Sequence, residues 1–134
     1  MAGLFWDTLR RDLEDPEFLR EYVTESVRIA ATDAIINALD EARVSAGLSK
    51  AALARAIGAE PAAVRRLFSA DNVNPTLGTL AALAAALGLR ISIEPLSPAD
   101  QATVTAPLRS GKATGIDVER IAGMRTSGRR AVSA

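Results

Sequence analysis

The chain contains no cysteine and no histidine. Disulfides, thiol nucleophiles and thiolate zinc sites are excluded by the first absence. A Ser-His-Asp triad, imidazole acid–base work and His-ligated metals are excluded by the second. Aromatic residues are scarce, at 4% of 134 residues. No apolar run approaches the roughly 20 residues of a membrane span, and Asp7 sits among the first apolar residues, so neither an anchor nor a signal peptide is expected. Net charge is missing too, since 16 basic residues balance 16 acidic ones. A generic nucleic-acid binder is basic, so neutrality argues against loose polyanion binding and leaves room only for a local patch. No nucleotide loop or metal cluster is visible, so no enzyme and no cofactor are expected, and a cytoplasmic protein is the default.

What the chain has in quantity is alanine, 27 of its 65 hydrophobic residues. Alanine favours helix and fills little volume, which predicts a mainly α protein with a modest core. The charges fall in three blocks. Residues 1–31 hold 4 basic and 7 acidic side chains, 32–95 hold 6 and 6, and 96–134 hold 6 and 3. The blocks predict an N-terminal helical extension (1–31), a central domain (32–95) and a flexible basic tail (96–134).

Within the head, Leu4, Phe5, Trp6 and Leu9 form an apolar cluster. Asp15-Pro16 is a helix start, with a capping carboxylate and a proline suited to the first turn. An apolar stripe at steps of three and four then runs from Phe18 through Tyr22, Val23 and Val27 to Ala46, with either a break or simple continuation at Thr32-Asp33. Gly47 ends it. Ser49 caps a short helix that Gly58 stops, Glu60-Pro61 begins another, and Thr76 caps a further one that ends at Gly88. Leu89 to Glu94 alternates apolar and polar residues and predicts a half-buried β-strand. A lone strand leaves its backbone unpaired, so the alternatives are pairing with the tail or with another molecule. The tail is rich in Gly, Ser, Thr and Pro, with one short helix expected near Ile116 to Met124, capped by Asp117 and stapled by Ile116 and Ile121.

The motif that carries chemistry is the short helix, turn, short helix between Lys50 and Leu67. Ala54 is small where a second helix must cross, Gly58 supplies a turn at positive φ, and Leu53, Ile57, Val64 and Leu67 are spaced to fill the space between the two helices. With its flanks Asp15–Tyr22, Asn74–Leu80 and Ala86–Ile93, this segment resembles the Cro/phage-repressor (XRE) helix-turn-helix family, and the wider pattern resembles the HigA-type antitoxins of toxin–antitoxin pairs.

The resemblance implies a five-helix, lambda-repressor-like domain. It implies operator DNA as ligand, a homodimer, and a RelE/HigB-like ribonuclease toxin as partner. Lys50 would touch phosphate. The helix from Pro61 to Phe68 would enter the major groove and present Glu60, Pro61, Ala62, Ala63, Arg65 and Arg66. Arg66 would read a base edge, Arg65 would meet phosphate, and Asn72 and Asn74 would contact the backbone. The strand residues Leu89, Arg90, Ile91, Ser92 and Ile93 would join two copies. Phe18, Tyr22 and Val23 are either core or a toxin-binding face. Glu60 departs from the family pattern by placing a negative charge where Ser or Thr usually caps, and Pro61-Ala62-Ala63 offers no hydrogen bonds to bases. A stand-alone XRE regulator, and an interaction scaffold that has lost DNA binding, remain open as alternatives.

Overall fold

The computed structural model describes residues 2–69 and 74–127. Its elements are α1 (Ala2–Asp12), α2 (Pro16–Ser45), α3 (Lys50–Ala56), α4 (Pro61–Ser69), α5 (Leu77–Ala86), α6 (Pro98–Asp100), a π-helical stretch (Gln101–Thr105), α7 (Ala106–Ser110) and α8 (Val118–Ser127). No helix among the described residues is long and apolar enough to cross a membrane.

Local chemistry accounts for most boundaries. The Asp15 carboxylate accepts from the Glu17 backbone N–H at 3.0 Å and caps α2. That helix then continues without a break through Thr32-Asp33. At its far end Leu48 N–H reaches the Arg43 carbonyl and Gly47 N–H reaches that of Val44, with Gly47 at φ 70°. This double closure satisfies carbonyls that would otherwise lack partners. Ser49 and Thr76 cap α3 and α5 as the sequence predicts.

The described residues fall into two compact units, 32–93 and 1–31 with 94–128. The first unit is built on the second half of α2 together with α3, α4 and α5. Among the described residues four helical segments make it, where five were expected. Its core joins Ile36 and Leu39 of α2, Leu53 and Ala54 of α3, Val64, Leu67 and Phe68 of α4, and Leu80, Leu83 and Ala84 of α5. Leu77, at the first position of α5, is 68% exposed although it stands three residues before Leu80 and seven before Ala84 on the same stripe.

The second unit corrects the expectation of a flexible tail. Val104, Val118 and Ile121 are buried with Leu9, Leu13, Leu19 and Val23 in one core, and Ile116 packs against it. Asp117 caps α8 by accepting from Arg120 N–H at 3.0 Å. Two arginines tie distant segments together. Arg20 donates to the carbonyls of Leu108 and Arg109. Arg125 donates to Ser26 Oγ at 2.8 Å and to the Tyr22 carbonyl, with its guanidinium 4.4 Å from the Tyr22 ring centroid. The π-helical turn directly precedes buried Pro107. Proline has no N–H and its ring crowds the carbonyl four residues back, so a wider turn there relieves the clash.

Asp100 and Arg120 pair at 2.7 Å, and the hydrogen bond from Arg120 holds the Asp100 carboxyl below its ordinary pKa. A depressed carboxylate contributes stability above its unfolded pKa and loses it as pH falls through its folded one. For this largely exposed pair that contribution is small.

Gly111 ends α7 at φ 73°, and a Cβ there would come within 3.0 Å of the Arg20 guanidinium. Gly58 also has positive φ but faces open space. Both Gly→Ala changes carry the left-handed strain of about 1–2 kcal/mol. Gly111→Ala must in addition push Arg20 off its two carbonyls. It is expected to lower the denaturation midpoint more than Gly58→Ala, as read by circular dichroism. Equal losses would show that the Arg20 clamp contributes nothing.

The predicted strand is absent among the described residues. Leu89 to Glu94 has no regular structure, and no backbone hydrogen bond joins Arg90–Pro95 to another backbone group. The physical reason is the one that made the prediction conditional: a strand needs a partner edge. The tail does not supply one, because its apolar residues are used in helices.

Candidate nucleic-acid interface

Residues in the 50–69 region form two short helices joined by a turn. Ser49 Oγ accepts from Ala52 N–H at 3.0 Å and starts α3 at Lys50. At the end of α3, Ala59 N–H reaches the Ala54 carbonyl at 2.9 Å and Gly58 N–H reaches that of Arg55 at 3.2 Å, with Gly58 at φ 69°. This cap turns the chain sharply. Ile57 and Ala59 stay against the core across the turn, and the fully buried Ala54 lets α4 pack closely on α3.

The burial pattern of α4 sets which side chains are available. Val64, Leu67 and Phe68 are turned inward. Ala62, Ala63, Arg65, Arg66 and Ser69 are exposed, and Pro61 is half-buried. At 100° per residue, Ala62, Arg66 and Ser69 cluster at the middle of the outward face, with Arg65 and Ala63 on its two flanks. The structure thus brings together the recognition-helix residues expected from the sequence.

Glu60 is exposed just ahead of α4. Its carbonyl accepts from Ala63 and Val64 N–H groups, but among the described residues no backbone N–H donates to its carboxylate. Lys50 is half-buried at the start of α3, and Asn74 is exposed before α5. Asn72 lies outside the described residues. Arg55, which sequence reasoning passed over, is exposed on α3. Its place next to buried Leu53 and Ala54 was a readable signal, because the residue that follows them on a short helix must turn outward.

The cations elsewhere in the molecule are mostly engaged. Arg10, Arg28, Arg43 and Arg120 form ion pairs, and Arg20 and Arg125 bind carbonyls. Among the described residues Lys50, Arg55, Arg65 and Arg66 have no anionic partner. An unpaired guanidinium on an exposed helix face can bind phosphate or the O6 and N7 edge of guanine. The methyl groups of Ala62 and Ala63 suit only apolar contact, of the kind the thymine 5-methyl group offers.

A feature that sequence reasoning missed lies beneath this motif. Arg43 donates to Asp40 Oδ1 through Nε at 3.0 Å and Nη2 at 2.8 Å, and through Nη1 to the Leu48 carbonyl at 2.8 Å. Its guanidinium carbon stands 5.8 Å from the Phe68 ring centroid of α4. Both charged side chains are buried. The Asp40–Arg43 spacing of three residues on a helix is common on surfaces, so nothing in the sequence distinguished this pair as internal.

Phe18 and Tyr22 stack with centroids 5.9 Å apart and pack against the core of the second unit, while Val23 is fully buried within it. The packing is with Leu9, Leu13, Val104 and α8.

Residues 39–93 match the family model described as Helix-turn-helix. No curated protein and no solved structure matches the chain. The matched span begins at buried Leu39 in α2 and ends with Ile93 beyond α5, and so takes in the whole α3–turn–α4 arrangement. Over residues 39–93 the chain is thus similar to the helix-turn-helix family.

Proposed function

We propose that this protein is a sequence-specific DNA-binding transcriptional repressor that acts as a homodimer. The observation that carries the reading is the outward face of α4, where Arg65 and Arg66 stand exposed and without anionic partners. Two such helices would enter successive major grooves about 34–36 Å apart on a palindromic site. Arg66 reads guanine, Arg65 and Lys50 meet phosphates, and Ala62 and Ala63 meet thymine methyls. The net neutrality of the chain gives weak non-specific binding, so sequence-specific contacts account for a larger share of the affinity than in a basic domain.

The test is selection from a randomised duplex pool, followed by gel shift at about 50 mM salt, where a few phosphate contacts suffice for retention. An enriched palindromic site is the expected result. No enrichment, or equal retention of every sequence, would overturn the reading.

The finer reading, that the repressor is the antitoxin of a toxin–antitoxin module and neutralises a RelE/HigB-like ribonuclease by direct binding, is supported by the resemblance of Asp15–Tyr22 and the flanks of the motif. With Val23 buried, Phe18 and Tyr22 are the members of the expected face that remain accessible for docking. The acidic side chains of the head would meet a basic toxin. Failure to co-purify with the product of the adjacent gene would remove this part and leave the repressor standing.

A further inference from the structure

Helix α4 carries a single hydroxyl group. Ser69 is its last residue and is exposed, and its Oγ donates to the Arg65 carbonyl at 2.6 Å. On a helix the residues three and four positions earlier are the nearest surface neighbours. For Ser69 these are Arg66 and Arg65, both exposed and neither in an ion pair among the described residues. Among the exposed serines and threonines of the described residues, Ser69 alone has arginine at both positions. An accessible hydroxyl therefore stands beside the two cations assigned to DNA, in the middle of the outward face.

We propose that Ser69 is a phosphorylation site whose modification releases the protein from DNA. The inference rests on the DNA-binding reading above and supplies its regulation. The partner is a protein-serine kinase, with ATP as the phosphoryl donor. Ser69 Oγ attacks the γ-phosphorus. The Oγ–P bond forms, the bond from that phosphorus to the β,γ-bridging oxygen breaks, and ADP leaves. The hydroxyl proton passes to a base of the kinase. Arg65 and Arg66 offer such an enzyme two guanidinium groups that carboxylates can grip.

The effect on binding follows from charge. A phosphoserine carries about −1.5 to −2 charges at neutral pH and three strong acceptor oxygens. Within one helical turn it draws Arg65 and Arg66 into charge-assisted hydrogen bonds on the helix itself. The groups that would meet guanine and a DNA phosphate are then occupied. The remaining negative charge stands at the centre of the face and repels the phosphates of the duplex. The dipole disfavours a phosphate at the C-terminal end of a helix, so the two arginines hold it and the helix does not. With a net charge of zero, the chain has no general excess of positive charge to retain DNA once these two cations are taken.

The full-length chain phosphorylated at Ser69 during synthesis, through genetically encoded phosphoserine, tests this. Its affinity for a selected duplex is expected to fall at least about tenfold below that of the unmodified chain, the scale of a lost arginine–guanine contact. Ser69→Glu should reproduce part of the fall. Ser69→Ala and Ser69→Gln should stay within about threefold of the parent, because uncharged surface changes are close to neutral; the Gln variant separates size from charge. Without DNA, the side-chain Nε resonances of Arg65 and Arg66 should shift on phosphorylation and return after phosphatase treatment. Peptide mass spectrometry of the chain from its own cells should find phosphate on Ser69 in at least one of exponential, stationary and starved growth. An unmodified Ser69 in all three states, or unmoved arginine resonances, would overturn the proposal. So would a phosphorylated chain that binds the selected duplex within about threefold of the parent, and that result would leave the repressor reading standing. If the unmodified chain selects no sequence while Ser69 carries phosphate in cells and the arginines shift, the repressor reading falls and the modification site remains.

Discussion

Arg43→Ala is expected to cost about 3–5 kcal/mol of stability, the largest single-site loss predicted for the helix-turn-helix unit. The magnitude comes from what is left behind. Arg43 satisfies the buried Asp40 carboxylate and the Leu48 carbonyl together, the latter at the turn into α3. Removing it takes two charge-assisted hydrogen bonds from the buried Asp40 carboxylate and one from the Leu48 carbonyl. Loss of charge-assisted hydrogen bonds to a buried carboxylate costs far more than the loss of a surface pair. Arg43→Lys should recover only part of the loss, because an ammonium cannot place a planar fork on both acceptors. The double change Asp40→Leu with Arg43→Met should lie closer to the parent than Arg43→Ala, since it removes both charges. Urea unfolding followed by circular dichroism checks the series. A loss under about 1 kcal/mol for Arg43→Ala would mean that the pair behaves like a surface pair.

The consequence reaches the binding face. Asp40 and Arg43 lie on α2, yet the guanidinium reaches the ring of Phe68, which belongs to the inward side of α4. The position of the outward arginines therefore depends on a residue more than twenty positions earlier in the chain. Leu53, Ala54, Val64 and Leu67 were readable because each obeys the spacing of one short helix. The Asp40–Arg43 pair was not, because its meaning depends on packing against segments distant in sequence.

The same distinction separates the rest of what was legible. Ser49, Thr76, Asp15 and Asp117 each cap the helix they precede, and the bond is local. Gly47, Gly58 and Gly88 all stand at positive φ where the sequence placed helix ends. The tail misled because its Gly, Ser and Thr content masked apolar residues that fill a core only together with α1 and α2. Val104, Val118 and Ile121 make no strong periodic stripe alone. Arg20 and Arg125 bind partners that lie about a hundred residues away or nearly so, at separations of 88 and 99. Periodicity carries no information at that range. The strand failed for the opposite reason: its local pattern is clear, but a strand is a property of two segments.

Charge follows the same logic. The basic excess of the tail fitted a flexible extension. Arg120 is instead paired with Asp100, and Arg125 is folded onto Tyr22 and Ser26. Among the described residues Lys50, Arg55, Arg65 and Arg66 of the motif carry no ion pair, and nor do Arg11, Arg90, Arg109 and Lys112 outside it.

On that basis Arg66 and Arg65 should fail in different ways when removed. Arg66→Ala is expected to weaken binding to a selected site by about 1–3 kcal/mol per recognition helix, roughly 5- to 150-fold, and to relax the preference at one base position. Arg66→Lys should keep the charge and lose most of the discrimination, because bidentate contact with guanine needs the guanidinium fork. Arg65→Ala should weaken binding evenly across sequences and reduce the slope of log affinity against log salt by about 0.9 per subunit. Titration of a selected duplex and of a scrambled one, across about 50–200 mM salt, separates the two behaviours. The outward face of α4 predicts this split from geometry: Arg66 stands at its centre, between Ala62 and Ser69, and Arg65 stands on the flank. If Arg65→Ala relaxed base preference while Arg66→Ala changed only the salt slope, α4 would have to lie in the groove rotated by about one residue, or 100°. If neither variant altered binding to a selected site, the outward face of α4 would not be the surface that reads DNA.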